Sequence, residues 1–347
     1  MHKRIFTIKR DLNLLKQKME TAGHFVYQGG MFSADKDFLA YVNALDDKSC
    51  VQDLNGNPVL IEDIDDFKFI VKSKHQEVMN ELYDNTKKLQ HDKGFLVYNF
   101  DTETTNYSKI TKLCIEHLKH HMPDIPVAVC GDHVEGCDIH IDMKDVKHNK
   151  RSYVHNNDAV SETWLNLTRD KSFAISPFEQ TILMDSDYIV LSDHLMTLFD
   201  SSSPFLMPDK IYNIKEDRIS ESYLGESKIL QKWATLVKFD KSDITEQFFK
   251  FWSNALKNYE YYMKLFKWKN DGTVWNDNAI SIAHAQITDY NPLNTRFIVP
   301  WPVCFASFKC EIDSITMDQA IIKDQKSAMT VKEDVHILNK QDLLHAI

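Results

Sequence analysis

The sequence predicts an α/β protein with a mixed central sheet, preceded by a mainly helical appendage. Short apolar runs end abruptly at polar or glycine residues: Phe95–Phe100 at Asp101, Ile125–Cys130 at Gly131, and Thr181–Met184 at Asp185. Such runs suit strands buried on both faces, as parallel strands are. Between the first two, Tyr107, Ile110, Leu113/Cys114 and Leu118 recur at helical spacing, so strand, helix and strand make a βαβ unit.

Residues 1–93 read as an α+β appendage. It holds a basic helix over about 9–21, a helix around Asp35–Leu45, a hairpin over Cys50–Ile61 turning at Leu54-Asn55-Gly56-Asn57-Pro58, and a longer helix over about Asp65–Leu89. Asp92-Lys93-Gly94 marks the boundary, and residues 94–347 form the α/β domain. There the strand at Phe95 is followed by a helix over 106–121, which Pro123 stops, and by the strand at Ile125. A helix around Glu162–Lys171 precedes the clearest strand, Thr181–Val190. Short strands (Ala234–Phe239, Arg296–Val299) and helices at about 243–266 and 278–286 complete the domain.

The strand at Ile182 runs into Asp185-Ser186-Asp187. In an extended chain, residues two apart share a side, so both carboxylates emerge together at a strand end, where open α/β sheets bind ligands. They are hard oxygen ligands suited to Mn²⁺ or Mg²⁺. A metal held there neutralises a diphosphate leaving group; the ordinary alternative is an acidic turn.

The blocks around this motif are Asn99-Phe100-Asp101 with Asn106-Tyr107-Ser108-Lys109, then Ile125–Asp132, Ser176-Pro177-Phe178, Trp233–Ser242, Asn276–Ala283 and His336-Ile337-Leu338-Asn339-Lys340. In this order, from Gly94 to Ile347, the chain resembles the GT-A glycosyltransferases, especially the family-8-like nucleotide-diphospho-sugar transferases and related phage-encoded enzymes. The resemblance implies a Rossmann-like nucleotide-sugar-binding domain that moves a sugar from a nucleoside diphosphate, UDP first, to a hydroxyl. It implies that Asp185, Asp187 and His336 bind Mn²⁺ (or Mg²⁺) and that Lys340 holds the β-phosphate, on the same face as His336 if that segment is helical. Asn99, Asp101, Tyr107 and Asp132 fall on the donor side, with Tyr107 stacking on the base. Arg169 pairs with a motif carboxylate or the diphosphate, and Asn276 and Asp277 face the sugar or the acceptor hydroxyl. The family's glycine between the C-terminal His and Lys is absent here.

Other patterns compete. Phe100–Thr105 looks like the first motif of proofreading 3′–5′ exonucleases, with His155–Asp158, His284 and Asp289 as further pieces, but a helix follows where that family continues into a β-meander. A haloacid-dehalogenase reading meets Tyr188 where that family carries Thr or Val. Cys130, His133, Cys137 and His140 have zinc-like spacing, although a Cys ending a buried strand is usually a small apolar residue. No GxGxxG, Walker A, GxSxG or HExxH pattern occurs.

Composition bounds the partners. The 347 residues are 43% hydrophobic, enough for a full core, and carry a net charge of −10, which is no polybasic coat. Six cysteines make no disulfide framework, and no run suits a membrane span or a signal peptide, so a cytoplasmic setting is expected, in the host if the chain is phage-encoded. Two basic regions stand out. Residues 1–18 carry six basic residues against Asp11; residues 248–269 interleave nine aromatics with lysines, of which Lys250, Lys257 and Lys264 are seven apart. A basic stripe beside aromatics suits nucleic acid, so a hydroxymethylated base in phage DNA is one expected acceptor, with Trp233, Trp275, Lys257 and Lys264 on its side. The plain reading of 248–269 is an amphipathic helix with solvated lysines. A glycan acceptor is the alternative, and a non-catalytic nucleotide-sugar-binding protein stands in a different class. Oligomeric state is not readable from the pattern.

Overall fold

The computed structural model describes residues 23–88, 91–143, 149–155, 158–164, 167–214, 218–220, 222–268, 273–291, 295–323 and 327–347. The chain divides into two compact units, Ile5–Gln90 and His91–Ile347.

In the first unit, β1 (His24–Tyr27) and β2 (Gly30–Ser33) form a hairpin whose two turn residues, Gln28 and Gly29, both have positive φ, matching the twist of the strands. Helix α1 (Lys36–Asn43) starts at Asp35, whose side chain accepts the Phe38 N–H. A second hairpin, β3 (Ser49–Gln52) and β4 (Pro58–Ile61), is organised by Asp53, which accepts the N–H groups of Asn55 and Asn57. Helix α2 (Ile64–Lys88) closes the unit over a core of Phe32, Val42, Val51, Ile61 and Phe67. The described part thus adds one hairpin, β1–β2, to the elements expected from sequence, and the Gln28-Gly29 turn is its local signal. The expected helix at 9–21 lies outside the described residues.

The second unit opens with β5 (His91–Asn99), which pairs parallel with β6 (Val127–Gly131) and β10 (Phe178–Met184). Asp92-Lys93-Gly94 is thus inside a strand. Gly94 is required there because a Cβ would overlap the Phe178 ring. Helix α3 (Tyr107–His121) is the crossover; Asn106 caps it, and Ile110, Cys114, Ile115 and Leu118 are its buried stripe. With β7 (Ile139–Ile141), β12 (Phe205–Leu206) and β15 (Leu236–Asp240), the sheet runs β12-β15-β10-β5-β6-β7, parallel from β10 to β7 and antiparallel at β15 and β12. The fold is α/β around a mixed, mainly parallel sheet.

A second sheet joins β11 (Tyr188–Ile189), β20 (Val335–Ile337), β16 (Val303–Ala306), β13 (Ile211–Asn213) and β14 (Arg218–Ser220) in that order; the short helix α5 (Met196–Phe199) follows β11 in the chain, and β17 (Glu311–Thr316), β18 (Gln319–Lys323) and β19 (Ala328–Val331) make a separate antiparallel sheet. The chain passes from the first sheet to the second between Met184 and Tyr188. The expected single strand Thr181–Val190 is therefore two short strands in different sheets, with Asp185-Ser186-Asp187 as the corner. There the Tyr188 N–H bonds the Asp185 carbonyl in a turn, so the carboxylates do not converge through extended alternation.

Three other expectations change. Strands β8 (Asn149–His155) and β9 (Asp158–Trp164) pair antiparallel, and Arg169 enters on a short 3₁₀ turn, Arg169–Lys171, that leads into α4 (Ser172–Ile175), instead of a helix from 162. The stretch 243–266 is two helices, α6 (Asp243–Lys257) and α7 (Tyr259–Phe266), broken at Asn258. Lys257 and Lys264 therefore lie on different helices and the lysine stripe is interrupted. Phe248, Phe249, Trp252, Tyr259 and Tyr262 are buried, as in an ordinary amphipathic packing. Residues 296–299 form only an isolated bridge, Met207 with Ile298. No helix among the described residues is long and apolar enough to cross a membrane.

Candidate metal centre and substrate cavity

Backbone pairing brings His336 to the corner: it lies opposite Tyr188 in the β11–β20 ladder, and the Ile337 N–H donates to the Asp187 carbonyl at 2.9 Å. The His336 Nε2 then lies 3.2 Å from Asp187 Oδ1 and 3.8 Å from Asp185 Oδ2. Each carboxylate is gripped through its other oxygen. Arg169 Nη1 donates to Asp185 Oδ1 at 2.5 Å, and Lys340 Nζ meets Asp187 Oδ2 at 2.5 Å. Two oxygens and an imidazole nitrogen are thereby left facing one another, all within 4.8 Å. Adjacent ligands of a six-coordinate Mn²⁺ or Mg²⁺ stand about 3 Å apart at bonds of about 2.1 Å, so small shifts suffice for this trio to hold one. The donor set, two hard oxygens and one imidazole, fits Mn²⁺ well.

Asp187 is buried, which by itself favours the neutral acid; Lys340 and His336 outweigh that and hold the carboxyl well below its ordinary range. Lys340 is the first residue of α9 (Lys340–Ala346) while His336 is in a strand, so they share no helical face. The tight backbone turn between them, with Lys340 N–H on the Leu338 carbonyl, does the work instead.

One further segment organises the site. The Lys232 and Ala234 N–H groups, in the turn that precedes β15, donate at 2.7 Å to Ser281 Oγ and Asp277 Oδ1. Asp277 and Ser281 are four apart on α8 (Asn276–Ile287) and so share a face. Burial raises the carboxyl of Asp277 above its ordinary value, with Asp185 adding to the effect. The next residue, Thr235, accepts the Asp185 N–H on its carbonyl at 3.0 Å and places its hydroxyl 3.2 Å from His336 Nδ1. Nothing local in the sequence marks Thr235; only the meeting of two sheets reveals it.

A cavity of about 290 Å³ opens over this centre. Of the residues singled out from sequence, Tyr107, Arg169, Asp185, Asp187, Trp233, Trp275, Asn276, Asp277, His336 and Lys340 line it. Tyr98, Phe100, Phe305 and Phe308, to which the sequence assigns no role in the site, add aromatic wall. Arg169 is buried, and its Nε and Nη2, themselves buried atoms, find no hydrogen-bond partner among the described residues. Asn99, Asp101 and Asp132 are not among the lining residues. The Asn99 amide bonds Ser108, Thr111 and the Asp132 carbonyl; Asp101 takes the N–H and hydroxyl of Ser108; and Asp132 takes the Asp101 N–H. These three brace the start of α3. Lys257 and Lys264 do not line the cavity either.

The competing patterns do not assemble among the described residues. Asp101 is engaged by Ser108, and His284, buried against the Arg296 carbonyl, is pushed down to about 4. Among the described residues, two groups of His, Cys, Asp or Glu come close enough for a metal, and neither contains Cys130, which is fully buried with its thiol pushed well up. The second group, His120, His121 and Asp318, is mostly exposed, and His121 Nε2 is engaged by the Met317 carbonyl at 2.7 Å.

No protein-family model matches the chain, and no curated protein matches it. Solved structures similar to it include the glycosyltransferase GlyE of Streptococcus pneumoniae TIGR4, at 12% identity over 55% of this chain and 43% of that one, TM-score 0.31. Another is the galactosyltransferase LgtC in complex with donor and acceptor sugar analogues, at 15% identity over 55% of this chain and 70% of that one, TM-score 0.34. The chain thus spans less than half the length of GlyE. Likeness at this level carries no functional argument, which rests on the site itself.

Proposed function

We propose that this chain is a metal-dependent GT-A glycosyltransferase that moves a sugar from a nucleoside diphosphate, UDP in the first instance, to an acceptor hydroxyl. The observation that carries it is the trio Asp185 Oδ2, Asp187 Oδ1 and His336 Nε2, each carboxylate held by a cation through its other oxygen, on the floor of an aromatic-walled cavity. Bound there, Mn²⁺ or Mg²⁺ would supply a Lewis acid for the charge that develops on the diphosphate as the sugar leaves.

The chain's own residues do the rest. Arg169 orients Asp185 and brings its positive charge to the wall of the cavity where the diphosphate would lie. Lys340 sets Asp187 and adds positive charge beside the leaving group. Tyr107 would stack on the base, and Trp233 and Trp275 would pack against a sugar ring. Asp277, held by Ala234, and Asn276 face the cavity where the transferred sugar or the acceptor hydroxyl would lie. The acceptor is left as a hydroxyl on a DNA base or on a glycan; the broken lysine stripe lends the DNA base no support.

The test is melting with UDP and other nucleoside diphosphates, each with Mn²⁺ and with EDTA, followed by mass spectrometry of hydroxymethylated DNA and of glycans after incubation with the matching donor. A ligand at 100 times its dissociation constant stabilises by about 2.7 kcal/mol, a shift of a few degrees for a protein of this size. A Mn²⁺-dependent shift from one diphosphate supports the reading. No response to any diphosphate, together with melting indifferent to EDTA, sinks it and leaves the trio as a structural ion-pair network.

A further inference from the structure

Three residues of the centre come from three elements: Asp185 from the end of β10, His336 from β20 and Asp277 from the start of α8. All three are bonded to the dipeptide Ala234-Thr235 at the entry to β15. Thr235 is 4% exposed and bonds two of the ligand residues, the main chain of Asp185 by its backbone carbonyl and the His336 ring by its hydroxyl. The backbone bond survives any substitution, so the side chain's contribution is separable.

We propose that the Thr235 hydroxyl is a positioning group that sets which nitrogen of His336 is presented to a divalent metal. The inference rests on the metal reading of the site. His336 faces the carboxylates with Nε2 and Thr235 with Nδ1. Nε2 binds a metal only through its lone pair, so the proton of the neutral ring must then sit on Nδ1, in a buried place where Thr235 Oγ1 is the acceptor in reach. When Nε2 instead carries a proton and donates to Asp187, the same hydroxyl turns round and donates to Nδ1. A hydroxyl serves both arrangements; a methyl serves neither, and a fixed donor or acceptor serves one. Thr235 also carries a γ-methyl, yet the task needs only the oxygen, which makes serine the conservative replacement and valine the disabling isostere.

The experiment measures Mn²⁺ binding by electron paramagnetic resonance on the full chain, wild type beside Thr235→Val and Thr235→Ser, with metal-free melting of each. A ligand-orienting neighbour is worth about 10- to 100-fold in metal affinity. The expected result is a loss of that size in Thr235→Val, recovery to within about threefold of wild type in Thr235→Ser, and metal-free melting within a few degrees for both. In steady state, the Mn²⁺ concentration for half-maximal transfer rises in Thr235→Val while kcat at saturating Mn²⁺ changes less. Wild-type affinity in Thr235→Val, or equal weakening in Thr235→Ser, overturns the inference and leaves the metal reading standing. A wild-type chain that takes up no Mn²⁺ removes the metal reading, and this inference with it.

Discussion

Arg169 donates to Oδ1 of Asp185 at 2.5 Å and so leaves Oδ2 of the same carboxylate turned toward His336. Lys340 does the equivalent for Asp187. Each acid therefore shows one oxygen to the centre, with its rotation fixed by a cation that is itself largely buried. The arrangement lowers the repulsion between two neighbouring carboxylates while keeping a free oxygen on each.

Replacing either acid tests the centre directly. Asp185→Asn and Asp187→Asn are expected to weaken Mn²⁺ binding and sugar transfer by at least about 100-fold, since a ligand should cost no less than a ligand's neighbour. Transfer that survives both substitutions together would remove the metal from the reaction. Titration of each variant with Mn²⁺, read beside initial rates, separates lost binding from lost chemistry.

Arg169 separates charge from geometry. Arg169→Lys keeps the positive charge but loses the planar fork that bonds Asp185. The expected outcome is a loss of about 10-fold or more in kcat/KM for the donor, with Mn²⁺ affinity also reduced. Full activity in Arg169→Lys would mean that only its charge matters.

His284 is expected to make part of the protein's acid sensitivity. Its buried ring is 5% exposed, bonds the Arg296 carbonyl and is pushed down from 6.5 to about 4. The unfolded chain then binds this proton more readily than the folded one. Its effect on stability is nil above about pH 6.5 and grows unfavourable as pH falls toward 4, to about 3 kcal/mol. Denaturant melts of wild type and His284→Gln across pH 7.5 to 4.5 check it: the variant's stability should fall less steeply. Parallel slopes would assign the acid loss to other groups.

Gly94→Ala tests the sheet below the site. A Cβ there would meet the Phe178 ring on the neighbouring strand. Destabilisation of about 1–3 kcal/mol is expected from overpacking, measured by urea denaturation, with Mn²⁺ affinity of the folded fraction unchanged.

Much of the architecture could be read from local pattern. The strands at Phe95, Val127 and Ile182 are short apolar runs ended by polar residues, and α3 carries a helical stripe behind an Asn cap. These signals are contained in windows of a dozen residues, because burial on two faces or on one stripe constrains each residue by its near neighbours. Asp185 and Asp187 stood out for the same reason, as paired acids at the end of a buried run. His336, Lys340 and Arg169 were singled out only through resemblance, since a lone His, Lys or Arg has no local signature.

What local pattern missed is what depends on distant partners. Asp185-Ser186-Asp187 is a corner and not extended strand, because the chain leaves one sheet there and pairs with β20 in another; the apolar residues on both sides look alike in sequence. Thr235 became visible only when two sheets and α8 met around it. The hydrogen bonds by which Asn99, Asp101 and Asp132 brace the start of α3 have no signature in sequence, and the lysines of 243–266 fail to align because Asn258 ends a helix. Residue type and spacing decided which groups this chain has for chemistry. Tertiary packing decided which oxygen of each carboxylate is free and which nitrogen of His336 faces it, because those choices are made by hydrogen bonds between segments far apart in the chain.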